Sequence, residues 1–129
     1  MTIANLRGNK EEPWCTMDDF NAIRNQAEKR GGNPVDMNQC SIFENWIDTC
    51  EFCELYISGG NLTWSNRRTG EDCIREKLDR CFFNTGWNDV FPFAQGLALP
   101  AIQSDHNPII VRLVDGGIKR RPTFKFESK

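Results

Sequence analysis

Only one stretch of this chain carries a helical stripe. From Asn38 to about Cys50 the apolar residues fall at Ile42, Phe43, Trp46, Ile47 and Cys50, the i, i+4 spacing that lays one helix face against a core. Elsewhere the apolar residues come in short runs separated by Gly, Pro, Asn and Asp. Pro13 to Met17 reads as a strand, closed by Asp18-Asp19-Phe20-Asn21, an acid and amide cluster of loop chemistry. Residues 22–36, polar and holding Gly31, Gly32 and Pro34, read as a surface loop. Leu55-Tyr56-Ile57 and Leu62-Thr63-Trp64 read as strands joined through Gly59-Gly60 in a hairpin or tight turn.

Residues 74–83 alternate in their early part, with Ile74, Glu76 and Leu78 on one side and Arg75, Lys77 and Asp79 on the other. That is a strand pattern, although propensity alone allows a helix. Asn84 to Val90 predicts a helical turn, Phe93 to Leu99 a strand, and Pro108 to Val114 an Ile/Val-rich strand entered through the polar loop Ser104-Asp105-His106. One helix among many short strands predicts an α/β or α+β layered sandwich. Residues 1–115 read as one domain, and Gly116-Gly117 opens a basic tail or linker over 116–129.

A chain of 129 residues makes one domain or a piece of one. Four Trp and nine Phe argue against disorder. No run approaches eighteen apolar residues, so no membrane partner is expected, and Met1 to Lys10 lacks the apolar run of a signal peptide. The six cysteines raise the alternative of a secreted disulfide module. Without a secretion signal, and with Cys15 and Cys81 in strand-like runs and Cys40 and Cys50 in the helical one, they read as reduced thiols serving as small hydrophobes. Cys50-Glu51-Phe52-Cys53 ends a helix rather than preceding one, no second pair follows at zinc spacing, and its spacing reads as accidental. The Asn61-Leu62-Thr63 sequon reads as idle. The net charge of −2 hides an asymmetry. Residues 1–66 hold five Lys/Arg and ten Asp/Glu, whereas residues 67–129 hold eleven and eight. A basic C-terminal half could face phosphates, or could simply be solvated.

Taken singly, the polar motifs are weak. Asp19 and Asn21, two apart on an extended segment, point the same way. They could orient a water, bind a cation or cap a helix. His106 is the single histidine and follows Asp105 in a polar loop entering an apolar strand, where catalytic groups often sit. Asp79, between Lys77 and Arg80, reads most simply as an ion-pair partner.

In order, these pieces resemble a family. The run Pro13-Trp14-Cys15-Thr16-Met17-Asp18-Asp19-Phe20-Asn21 resembles the strand ending in Gly-Asp-Phe-Asn of the endonuclease/exonuclease/phosphatase (DNase I-like) superfamily. Glu28-Lys29-Arg30-Gly31-Gly32 follows as in plant non-LTR (LINE-type) retrotransposon members. Leu62 to Arg68 (LTWSNRR), Arg75 to Arg80 (REKLDR) and Ser104 to Ile109 (SDHNPI) complete the pattern, and Arg121 to Glu127 (RPTFKFE) is similar to the segment leading toward the reverse transcriptase.

The resemblance spans about Glu12 to Glu127 and implies a DNase I-like two-sheet sandwich of which this chain holds the C-terminal half. It implies a magnesium-dependent endonuclease that nicks DNA to prime retrotransposition, intracellular in nucleus or cytoplasm. DNA and the missing N-terminal half or a reverse transcriptase domain would be its partners. By position, Asp19 would orient or deprotonate water, Asn21 would contact the scissile phosphate, and His106 would bind that phosphate with its other nitrogen held by Asp79. Asp105 would sit beside the metal, with Thr63, Asn66 and Ser104 near the phosphate or DNA backbone. The family's opening strand, metal-binding Glu and mid-domain Tyr or His would lie upstream of Met1, leaving the metal site incomplete and an apolar sheet face exposed. Asp18 stands where the family has Gly, which predicts crowding or strain at that turn. The alternative expectation is a non-catalytic retroelement remnant that at most binds nucleic acid.

Overall fold

In a computed structural model, which describes residues 12–114 and 125–128, the helical stripe forms α1, Met37–Cys50. Asp36 caps it by accepting the Asn38 N–H, and Glu51 ends it in the left-handed region at φ 57°. The buried face is Cys40, Phe43, Ile47 and Cys50, so the stripe is rotated from the expected one: Ile42 is 62% exposed. A second helix, α2, covers Thr85–Val90. Its cap, Asn84, accepts the Trp87 N–H and also the Trp14 N–H. The Asn84 amide donates to Glu12 O, so one buried side chain ties a helix start to a strand start.

The strands are β1 (Trp14–Asp19), β2 (Lys29–Arg30), β3 (Cys53–Glu54), β4 (Ile57–Ser58), β5 (Trp64–Ser65), β6 (Arg75–Glu76), β7 (Asp79–Phe83), β8 (Gln95–Ala98), β9 (Ile109–Arg112) and β10 (Lys125–Ser128). They form a four-stranded sheet ordered β10-β1-β7-β3 and two three-stranded sheets, β2-β6-β5 and β4-β8-β9. The architecture is mixed α+β. Of the expected basic tail, Lys125–Ser128 runs parallel beside β1, and residues 116–124 lie outside the described residues.

Two expectations need correction. The run 74–83 is two strands, not one. Thr63 Oγ1 accepts the N–H groups of both Leu78 and Asp79, and Leu78 O accepts the Phe20 N–H, so the backbone between β6 and β7 leaves one ladder and enters another. The Gly59-Gly60 hairpin does not form either, because Ile57 pairs with Gly96 while Trp64 pairs with Glu76, in different sheets. Gly59 instead allows a close pass: at φ 87°, a Cβ there would lie 2.7 Å from Ala98 O. The loop 22–36 also holds more structure than expected, a 3-10 turn at Gln26–Glu28 followed by β2.

The four-stranded sheet is covered on both faces. On one, Trp14 and Phe82 join Phe43, Ile47 and Cys50 of α1 together with Phe52. Rings stack there, Trp14 on Phe52 at 5.0 Å and Phe20 edge-on to Phe82 at 5.0 Å. On the other face Cys15 and Cys81 pack with Trp87, against Met17, Phe83 and Val111. All six cysteines are free thiols, and Cys15, Cys40, Cys50 and Cys81 are buried. Mutual hydrogen bonding and burial push the Cys15 thiol well above its ordinary range. The third sheet leaves Leu97 and Ile110 exposed and in register with each other. Among the described residues no helix is long and apolar enough to cross a membrane.

Candidate functional site

Burial on both faces fixes the pairing of β1 with β7, and that register brings Asp19 opposite Asp79 at the open end of the sheet. His106 arrives from the third segment. The Asn107 N–H donates to Thr63 O, the Ser65 N–H donates to Asp105 O, and His106 bridges Trp64. The imidazole thereby lies between the two carboxylates. His106 Nδ1 is 2.8 Å from Asp79 Oδ2, and Nε2 is 3.6 Å from Asp19 Oδ2. The first is a hydrogen bond; the second is too long for one, which leaves Nε2 facing solvent and Asp19. Ligand atoms of the three residues lie within 4.8 Å of one another.

Partial burial pulls the His106 pKa down, but the hydrogen bond to Asp79 and the charges of Asp79, Asp19 and Asp105 outweigh it. The net shift is upward from the ordinary 6.5. With Asp79 accepting from Nδ1–H, Nε2 is an acceptor in the neutral ring and becomes a second donor when the ring is protonated.

The remaining expected residues divide. Asn21 is adjacent: its N–H donates to Asp19 Oδ1 at 2.8 Å, and its φ of 50° turns the chain away after the carboxylate. Thr63 is fully buried, and its hydroxyl is occupied by the Leu78 and Asp79 N–H groups, so it sets where Asp79 sits. Ser104 Oγ accepts the His106 N–H and shapes the loop behind the ring. Asp105 has an exposed side chain outside the three-residue cluster and acts on the ring through its charge. Asn66 is turned to its own loop, accepting from Arg68 and Ile74 N–H and donating to Asp72 O. Asp18 accepts the Asp19 N–H and is not among the positive-φ residues, so the backbone strain expected from replacing Gly is absent; Asn21 carries the left-handed turn instead.

The simplest expectation for Asp79, pairing with Lys77 and Arg80, is overturned by strand alternation. Arg80 points to the opposite face of β7 and is 0% exposed. Its guanidinium binds Glu28 and Glu54 and donates to the carbonyls of Ala22 and Lys77. Lys77 Nζ lies 2.7 Å from Glu54, and Arg24 joins Glu54 to Glu44 at the rim. This buried ion cluster went unforeseen because Glu28 and Glu54 lie far from Arg80 in sequence. The only local signal was an Arg within an apolar run, Leu78-Asp79-Arg80-Cys81-Phe82. Through Ala22 and Lys77 it clamps together the two segments that carry Asp19 and Asp79.

Magnesium is a hard cation that takes oxygen ligands and keeps several waters. Asp79 Oδ2 is engaged with the imidazole and Asp19 Oδ1 with the Asn21 backbone N–H, and the third group of the cluster is a nitrogen rather than an oxygen ligand. These residues do not by themselves fit a magnesium centre. They form an imidazole braced by one carboxylate and facing another, which can donate to an anion and orient a water. No family model, curated protein or solved structure matches the chain.

Proposed function

We propose that this chain carries the phosphate-facing part of a DNase I-like phosphodiesterase site of retrotransposon endonuclease type, with DNA as substrate. The observation that carries the reading is the convergence of Asp19, Asp79 and His106 from three separate segments into one half-exposed cluster. In this reading His106 acts as the imidazolium: Nδ1–H is held by Asp79, which stabilises the ring's charge, and Nε2–H donates to a non-bridging phosphate oxygen. Asp19 Oδ2 orients the attacking water and accepts its proton as the new P–O bond forms and a bridging P–O bond breaks, the leaving sugar oxygen taking a proton from solvent. Asn21 sits beside Asp19 to contact the same phosphate. Magnesium is part of the proposal through the family resemblance alone, and no step here is routed through it.

Conversion of supercoiled plasmid to nicked circle by the purified chain, with magnesium and with EDTA, tests this against His106→Ala. Magnesium-dependent nicking that the substitution removes supports it. Equal nicking by His106→Ala overturns the site assignment. The poor fit to magnesium favours a second reading, in which the cluster holds a DNA phosphate without cutting it. A folded chain that binds but does not nick DNA, with binding weakened in His106→Ala, would establish that reading instead.

A further inference from the structure

The pairing of the second sheet sets four side chains in one row. Lys29 is the register partner of Glu76, Glu76 of Trp64, and Trp64 bridges His106. Directly paired residues project from the same face of a sheet, so His106, Trp64, Glu76 and Lys29 follow one another across it at about 4.8 Å per strand. Trp64 is half-buried and differs from the other tryptophans. Trp14, Trp46 and Trp87 pack ring against ring, whereas Trp64 has no aromatic neighbour among the described residues. Beyond it, Glu76 and Lys29 stand opposite each other without closing an ion pair among the described residues. Both line a cavity of about 240 Å³ that also takes in Asn21, Gln39 and the apolar side chains of Ile23 and Val35.

A phosphate donor, an unstacked indole, and a carboxylate facing an ammonium over an apolar floor form the sequence of groups that a nucleotide presents partners for. We propose that this row is a nucleotide-binding strip: the base attached to the phosphate at His106 stacks on Trp64 and sets its Watson–Crick edge against Glu76 and Lys29, which selects guanine. Guanine offers adjacent N1–H and N2–H₂ donors to a carboxylate and an O6 acceptor to an ammonium. Thymine and adenine do not offer that combination. The Watson–Crick edge is free only in an unpaired base, so the substrate portion on the strip is single-stranded. The inference rests on the reading of His106 as a phosphate ligand.

Fluorescence anisotropy with labelled single-stranded oligonucleotides tests it: a thymidine tract, the same tract with one central deoxyguanosine, and the tract with deoxyinosine there, which lacks only the N2 amine. The guanine oligonucleotide is expected to bind about tenfold tighter than the inosine one. Trp64→Ala is expected to weaken all three by about 5- to 150-fold, with Trp64→Phe recovering most of the loss. Glu76→Gln is expected to bring the ratio of guanine to inosine affinity, compared within that variant, from about tenfold to about one. Thermal melting of each variant establishes that it is folded. Equal binding of guanine and inosine by the native chain overturns the selection. Native affinity in a folded Trp64→Ala overturns the strip. Plasmid nicking by the same preparations separates the two readings: strip-dependent binding by a chain that does not nick supports the strip and removes only the catalytic assignment.

Discussion

Asp79 and Arg80 are neighbours on β7 and serve opposite ends. Arg80 faces inward, is wholly buried, and has both terminal nitrogens bound by Glu28 and Glu54, while its Nε has no hydrogen-bond partner among the described residues. Asp79 faces the open end of the sheet, braces His106, and leaves the ring's second nitrogen facing Asp19 at 3.6 Å. Both clusters are built from carboxylates and nitrogen bases. What differs is access to water. The inner cluster has left solvent, so its charge must be compensated by opposite charges, because an uncompensated buried charge is costly. The outer one keeps exposure and a ring nitrogen without a hydrogen bond, which becomes a donor for an anion when the ring is protonated.

The clusters also respond to pH with opposite signs. Burial raises the Glu54 carboxyl, but Arg80, Lys77 and Arg24 outweigh it and hold the group below its ordinary value. Its stabilising contribution is therefore present above the unfolded carboxylate pKa and lost as pH falls through the depressed folded value. The His106 pKa is raised, so its contribution is complete below about 6.5 and lost as pH rises through the folded value.

The sharpest way to break the contrast is Arg80→Met. It takes from Glu28 its buried hydrogen-bonding cation and leaves Glu54 with only Lys77 and Arg24, and is expected to cost about 3–5 kcal/mol in urea denaturation. Adding Glu28→Gln and Glu54→Gln should recover a large part of that loss, because the uncompensated charges go with it. His106→Ala is expected to lower nicking by about 10²- to 10⁴-fold with a urea midpoint close to native. A shift as large as that of Arg80→Met would show that the outer cluster is structural too. Asp79→Asn should bring the His106 titration, followed by proton NMR, down toward 6.5, since both the hydrogen bond to a charged acceptor and the charge are lost. An unchanged titration would mean that Asp19 and Asp105 hold the ring's proton. The smallest effect is expected at the cluster's rim. Glu44→Ala removes a half-buried partner of Arg24 at the surface and should change stability by under about 1 kcal/mol, less at high salt.

Much of the local structure was legible. α1, β1, α2, β8 and β9 lie where periodicity and turn residues put them, because each is set by neighbours a few residues away. Asp19 and His106 stood out for their surroundings, a strand end and a loop entering a strand, and Asp79 through the family resemblance. The same local reading failed where a side chain interrupts a ladder. Nothing in Ile74 to Phe83 announces that Thr63, from another segment, takes two of its backbone N–H groups and splits it. Nor does Gly59-Gly60 announce that its flanking strands join different sheets.

Residue pattern alone determined which segments are helix or strand and which polar residues stand at their ends, because hydrophobic period and backbone chemistry are short-range properties. Tertiary structure decided which of those residues meet. The choice of Asp79 for His106, and of Glu28 and Glu54 for Arg80, follows from the alternation of side chains along β7 and from the β1–β7 register. That register is fixed by aromatic packing on one face and by Cys15, Cys81 and Trp87 on the other. A slip of one residue would exchange the two faces, placing Asp79 in the core and Arg80 in the site.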